Sequence, residues 1–229
     1  MEPAVIGLIA AVILTAAVGL GLLIEFRRTR LPETRAGRHL QEATKAAQEG
    51  EFEDAKAHLL EAVNLEPDLA AAYKGLADLS FRTNNVSDVI KYLKIYLEKN
   101  PQDMEVRFRL IPMLTTASRY REAIDLIDSL PSGMKQQPRI VNLRAVCLLD
   151  SGQPKAAISY LEKNGLSGAK DDPAHLTNKY VLALAHKESG NPQQAKRVFQ
   201  EIRESDPGFQ DVDQQIIQVD RMLVAGERE

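Results

Sequence analysis

Four histidines and one cysteine, His39, His58, His175, His186 and Cys147, are the side chains of this chain that metal binding or covalent catalysis would use. A zinc centre needs His, Cys or carboxylate ligands at helical or short-loop spacing. None of the four histidines stands at i+3 or i+4 from another histidine. His186 reads as a packing residue, and no metal or other cofactor is expected of the four. A nucleophilic thiol requires an activating base or an electropositive setting. Cys147 lies between Val146 and Leu148, where a small buried hydrophobe is expected instead. As the only cysteine it can form neither an intramolecular disulfide nor a thiolate cluster. The sequence carries no catalytic triad, phosphate-cradling glycine loop or zinc signature. The expectation is a protein that is not an enzyme and has no small-molecule substrate.

Charge narrows the partners further. With 32 acidic and 29 basic residues the net charge is −3, and the only cluster of one sign is a group of arginines near the amino end. Nucleic acid is therefore not an expected partner.

That cluster follows an apolar run. Residues 3–24 contain no charge, and twelve of these 22 residues are Val, Ile or Leu. As a helix, such a run rises about 33 Å, enough to cross a hydrocarbon core of roughly 30 Å. Its twelve branched aliphatics favour insertion by roughly −4 to −7 kcal/mol. A cleaved secretory signal would carry basic residues before a shorter apolar core. Here Glu2 precedes the run, and Arg27, Arg28, Arg30, Arg35 and Arg38 follow it. A retained single-pass anchor is expected over 3–24, with a basic juxtamembrane linker over 25–35. The arginine asymmetry places the carboxyl-terminal domain in the cytoplasm. Gly7, Ala11, Thr15 and Gly19 recur every fourth residue and form a candidate packing stripe for a second transmembrane helix.

Beyond the linker the chain repeats itself. Ala55, Val89, Ala123 and Ala157 are spaced by 34, and Ala195 follows after 38. Three residues upstream stand Phe52, Val86, Tyr120, Pro154 and Pro192; four downstream stand Leu59, Leu93, Ile127, Leu161 and Phe199. Twelve upstream stand Ala43, Ala77, Ile111, Ala145 and Ala183, with Leu76, Leu110 and Leu182 directly before three of them. Pro67, Pro101 and Pro207 close three of the repeats, and Gly50, Asn84-Asn85, Ser118, Ser151-Gly152 and Gly190-Asn191 mark turns between two helices.

This register resembles the tetratricopeptide repeat: two antiparallel helices crossing at small residues, with a turn between them and a closing proline. The resemblance covers residues 36–209 as five repeats. It departs from the pattern at Glu42, where an apolar residue is usual, at Pro112 inside a first helix, and in lacking the common Trp. The expected fold is all-α: a transmembrane helix, a right-handed solenoid of about five helix pairs, and a capping helix and tail over 210–229. Residues 212–225 have the helical apolar spacing of such a cap. The stretches 130–133 and 165–173 are expected to be flexible joints.

The resemblance also implies a site. Second, fifth, ninth and twelfth positions of each first helix face the concave groove in this family. Carried onto this chain they are Lys74, Asp78 and Phe81, then Phe108, Pro112 and Thr115, then Asn142, Val146, Tyr180 and Lys187. The aromatics Phe81, Phe108 and Tyr180 are read either as peptide anchors or as residues packed between helices or under the cap. A chaperone-tail clamp of Lys and Asn does not fit, since Leu40, Thr44 and Asp78 hold the relevant places.

In layout the chain is similar to the lipopolysaccharide assembly protein B family, but without that family's cysteine-ligated metal domain. The resulting expectation is a non-enzymatic scaffold of the bacterial inner membrane that recruits protein partners, or itself through the transmembrane helix. Alternatives are a structural subunit of a membrane complex, and a periplasmic assembly factor if the topology is reversed.

Overall fold

The turns inside the repeats are where local sequence acts most directly on the backbone. Gly50, Asn84, Ser118, Gly152 and Gly190 all adopt positive φ, from 55° to 85°. Each stands two residues before the first residue of a second helix, at Phe52, Val86, Tyr120, Pro154 and Pro192. The left-handed conformation ends the first helix and reverses the chain, and glycine or asparagine adopts it at least cost. Ser118 is the exception in residue type, with φ 57°.

The computed structural model describes residues 34–165 and 172–226. Among them are twelve α-helices and no strand: α1 (Arg35–Glu49), α2 (Phe52–Leu65), α3 (Ala70–Arg82), α4 (Val86–Lys99), α5 (Met104–Thr116), α6 (Tyr120–Asp128), α7 (Ser132–Lys135), α8 (Pro138–Asp150), α9 (Pro154–Asn164), α10 (Pro173–Glu188), α11 (Pro192–Ser205) and α12 (Val212–Gly226). The anchor segment 3–24 with its small-residue stripe, and Arg27, Arg28 and Arg30, lie outside the described residues. Within them no helix is long and apolar enough to cross a membrane.

Helix starts follow two rules. Thr34, Asn85, Asp103 and Asp172 accept a hydrogen bond from a backbone N–H of the first turn. Pro138, Pro154 and Pro192 instead occupy the first turn, where a missing N–H costs nothing, and α10 combines Pro173 there with its Asp172 cap. Pro112 does not break α5, which runs on to Thr116.

The chain forms two compact units, up to Asn100 and from Pro101 onward. In the first, α1 pairs with α2 and α3 with α4. In the second, α5 pairs with α6, α8 with α9 and α10 with α11, and α12 packs on α11. The register columns form the core: Ala55, Val89, Ala123, Ala157 and Ala195 are at most 1% exposed. Alanine there lets paired helices approach closely, and Leu59, Leu93, Ile127, Leu161 and Phe199 fill the next layer.

One expected joint is built differently. Helix α6 is only 9 residues long, and the chain that would have continued it turns into α7. Leu130 is buried in a cluster with Ile111, Ile127 and Ile140, and Lys135 donates to the Asp128 carbonyl at 2.8 Å. Buried apolar contact thus holds Leu130, while 131–133 stay exposed. Of the other joint, residues 166–171 lie outside the described residues.

Candidate functional site

The first unit holds a cleft of ≈ 430 Å³ between α1 and α3, with Leu59 of α2 on its floor. Leu40, Ala43, Thr44 and Ala47 line it from α1; Ala71, Lys74, Gly75, Asp78, Leu79 and Arg82 line it from α3. These spacings of three and four put each set on one helix face. The cleft exists because small residues line it. At Gly75 a Cβ would come within 2.8 Å of Leu59 Cδ2, so glycine lets α3 lie against α2.

Polar groups at the rim are already oriented. Thr44 donates its hydroxyl to the Leu40 carbonyl at 2.8 Å, and Lys74 Nζ lies 5.8 Å from the centre of the Tyr96 ring. Phe81 stands three residues after Asp78 on the same stripe of α3 and is 55% exposed. It is the most exposed large hydrophobic side chain among the described residues.

The remaining residues expected in a groove belong to the second unit, where other groups engage Phe108, Thr115, Tyr180 and Lys187. Phe108 packs against Ile111, Ile127, Leu130 and Ile140. Thr115 donates to the Ile111 carbonyl at 3.1 Å, and its hydroxyl lies 3.3 Å from Cys147 Sγ. Asn142 is half-buried, and its Nδ2 finds no hydrogen-bond partner among the described residues. Tyr180 lies edge-on to Phe199 at 5.7 Å and near Phe209 at 6.1 Å, and its hydroxyl donates to the Asp211 carboxylate. Burial first, and then this bond, push the Tyr180 phenol up to about 12; the same bond lowers the Asp211 carboxyl. Lys187 donates to Gln215 Oε1 at 2.7 Å and Gln218 Oε1 at 3.0 Å, both on α12. Tyr180 and Lys187 are therefore held by the segment after α11 and do not line an open groove. The reason is that the chain after α11 folds back against it, bringing Phe209 and Asp211 to Tyr180 and the α12 residues Gln215 and Gln218 to Lys187.

Cys147 is fully buried, and burial pushes its thiol up despite the Thr115 hydroxyl. It is a packing residue, as its sequence neighbours imply.

A second cluster is hidden in the linear sequence. His39 and Glu42 on α1 meet His58 on α2: His39 Nδ1 lies 3.1 Å from His58 Nδ1, and Glu42 Oε2 lies 3.4 Å and 3.3 Å from them. The available signal was the His39–Glu42 spacing of three. The third member is 19 residues from His39 and comes close only through helix pairing.

Comparison with known proteins agrees with this architecture. The family model described as tetratricopeptide repeat matches residues 46–111 and 148–214, more than half of the chain. Cellulose synthase operon protein C of Xanthomonas axonopodis pv. citri (strain 306) is 25% identical over 180 residues, 75% of this chain and 12% of that protein. The chain thus spans about an eighth of that relative's length. Among solved structures, the chain is similar to YrrB, a TPR protein with an unusual peptide-binding site, with TM-score 0.61, 15% identity, and coverage of 80% of this chain and 90% of that one. MamA from Desulfovibrio magneticus RS-1 gives TM-score 0.59 at 14% identity, covering 77% and 98%. A tetratricopeptide repeat protein from Parabacteroides merdae ATCC 43184 gives 0.63 at 14%, covering 85% and 75%. At such identities the likeness is one of fold.

Proposed function

The chain belongs to the tetratricopeptide-repeat family, and from that premise we propose that it is a membrane-tethered adaptor holding a segment of a partner protein in the α1–α3 cleft. The observation that carries this reading is the cleft itself: an apolar floor of Leu40, Ala43 and Leu59, a rim of Lys74, Asp78 and Arg82, and exposed Phe81 on the same stripe. An apolar trough with charges of both signs at its edge suits the apolar face of a helix or short peptide. A neighbouring exposed aromatic supplies an anchor. Binding of this kind needs complementarity and no reacting group, so the reading is of a scaffold and not an enzyme. YrrB, a protein of this fold, has a peptide-binding site, which supports the class of ligand.

The tether in this reading is the apolar segment 3–24. Arg27, Arg28 and Arg30 set its orientation, with the repeats on the cytoplasmic side of a bacterial inner membrane. Gly7, Ala11, Thr15 and Gly19 offer a stripe for another transmembrane helix. In layout the proposal is similar to the lipopolysaccharide assembly protein B family, whose own role is not carried over. A reporter that works only in the cytoplasm should be active when fused after Glu229, and activity of a periplasm-only reporter there would reverse the topology.

Pulldown of the full-length protein in mild detergent, followed by mass spectrometry, tests the adaptor. A recurrent partner should be recovered with the parent and lost from Phe81→Ala, while the variant melts at the parent's temperature. A second reading, a structural subunit, rests on Ile217, Met222 and Val224, which α12 leaves 53%, 42% and 50% exposed. Capture that survives Phe81→Ala and is lost from Ile217→Asp would favour that reading.

A further inference from the structure

We propose that His39, Glu42 and His58 form a three-ligand site for a divalent transition-metal ion of the zinc class, fastening α1 to α2. The two imidazole nitrogens and one carboxylate oxygen form a triangle with edges of 3.1, 3.3 and 3.4 Å. A tetrahedral ion with bonds of about 2.05 Å holds its ligands about 3.3 Å apart. The centre of this triangle is about 1.9 Å from each atom, so an ion at zinc bond lengths sits just out of its plane.

Hydrogen bonding alone does not account for the triangle. With Glu42 as a carboxylate, its oxygen only accepts. If both Nδ1 atoms carry protons, the His39–His58 edge sets donor against donor. If one does, the other imidazole sets its lone pair against the carboxylate. Every tautomer choice leaves at least one short edge repulsive, whereas a cation accepts all three lone pairs together. The rings meet at 33° with centroids 5.3 Å apart, so their faces do not stack.

The donor set suits the ion. Two imidazoles and one carboxylate match zinc and its neighbours, and three protein ligands leave a position for water or a further ligand. The side chains are 30%, 56% and 36% exposed, so an ion has a path in from solvent. Glu42 is the departure from the repeat pattern. Its column holds buried Leu76, Leu110 and Leu182 in three other repeats and half-buried Arg144 in the remaining one. A metal bond between α1 and α2 would add binding free energy to the pairing of these two helices.

The test is calorimetric titration of the full-length chain in detergent with zinc chloride, alongside thermal melting. One ion should bind per chain, and at about 100 times Kd the melting temperature should rise by about 5–10 °C and fall back on chelation. The double variant H39Q/H58Q should lose about 100-fold or more in affinity, and Glu42→Gln about tenfold or more. Imidazole nitrogen resonances of the parent give a readout that does not depend on a variant folding. Zinc should shift those of His39 and His58 and leave His175 and His186 unmoved. Absence of saturable binding below about 1 mM, unchanged affinity in the folded double variant, or shifts confined to other histidines would each overturn the site.

Discussion

Equivalent positions of the repeat meet different fates in the two units. At the twelfth first-helix position the first unit presents Phe81, 55% exposed, beside a cleft, while the second unit presents Lys187, bound by two glutamines of α12. At the fifth position Lys74 lines that cleft, whereas Phe108 and Tyr180 pack into apolar clusters. The family pattern assigns these residues the same outlook from their helices. What differs is what lies over them: α1 and α3 leave a trough lined by small residues, and the segment after α11 covers the far end. Availability for binding is thus set by the neighbour that a side chain meets.

The largest effect separates the two aromatics. Tyr180→Ala should cost about 3–4 kcal/mol of stability, because it empties a site walled by Phe199 and Phe209. Phe81→Ala should stay within about 0.5 kcal/mol of the parent in the same denaturation experiment. Equal losses would erase the contrast. Next in size, Phe81→Ala should weaken partner binding by about 2 kcal/mol, or roughly thirtyfold, in a titration with the captured partner. Tyr180→Phe should leave that affinity unchanged.

Removing only the Tyr180 hydroxyl should cost about 1.5 kcal/mol, since it strips a bond to the Asp211 carboxylate. Its pH dependence has two limbs. Tyr180 is raised to about 12, so its contribution is complete below a tyrosine's ordinary value and is lost as pH climbs through about 12. Asp211 is lowered, so its contribution is present above the ordinary carboxylate range and is lost as pH falls through the depressed value. Melting curves of Tyr180→Phe against pH should be flatter than the parent's at both ends. Superimposable profiles would remove this contact from the stability of the second unit.

The smallest effect compares turns. Ser118 holds φ 57° where Gly50, Gly152 and Gly190 hold the same left-handed region. Ser118→Gly should stabilise the second unit by about 0.5–1 kcal/mol, the relief of a strained L-residue less the added entropy of glycine in the unfolded chain. Gly50→Ala should lower stability of the first unit by about 1 kcal/mol, and a shift of the opposite sign in either would show that the turn is not under strain.

Much of the fold was legible because the repeat restates it five times. A small or apolar residue recurring at intervals of 34, and once of 38, marks a helix crossing, and the structure buries all five members of that column. The turn residues announce left-handed backbone, and the spacing of 212–225 announces a helix that the structure forms as Val212–Gly226. These features arise from local rules: side-chain size, backbone freedom and helical period act within a few residues of where they are read.

Three features depended on tertiary structure. Leu130 anchors the chain into α7 because α6 is short and an apolar pocket receives the leucine, which the adjoining Pro-Ser-Gly composition does not reveal. Lys187 loses its outlook to Gln215 and Gln218 of α12, and Tyr180 to Phe209 and Asp211 just before that helix, because the chain after α11 folds back against it. His39, Glu42 and His58 converge because α1 and α2 pair antiparallel in a register that brings residues 19 apart together. Sequence decided which residues each helix carries and where each helix turns. Which of those residues stay open to a partner, and which meet one another, depends on distances between elements, and these exist only once the apolar columns have locked the helices together.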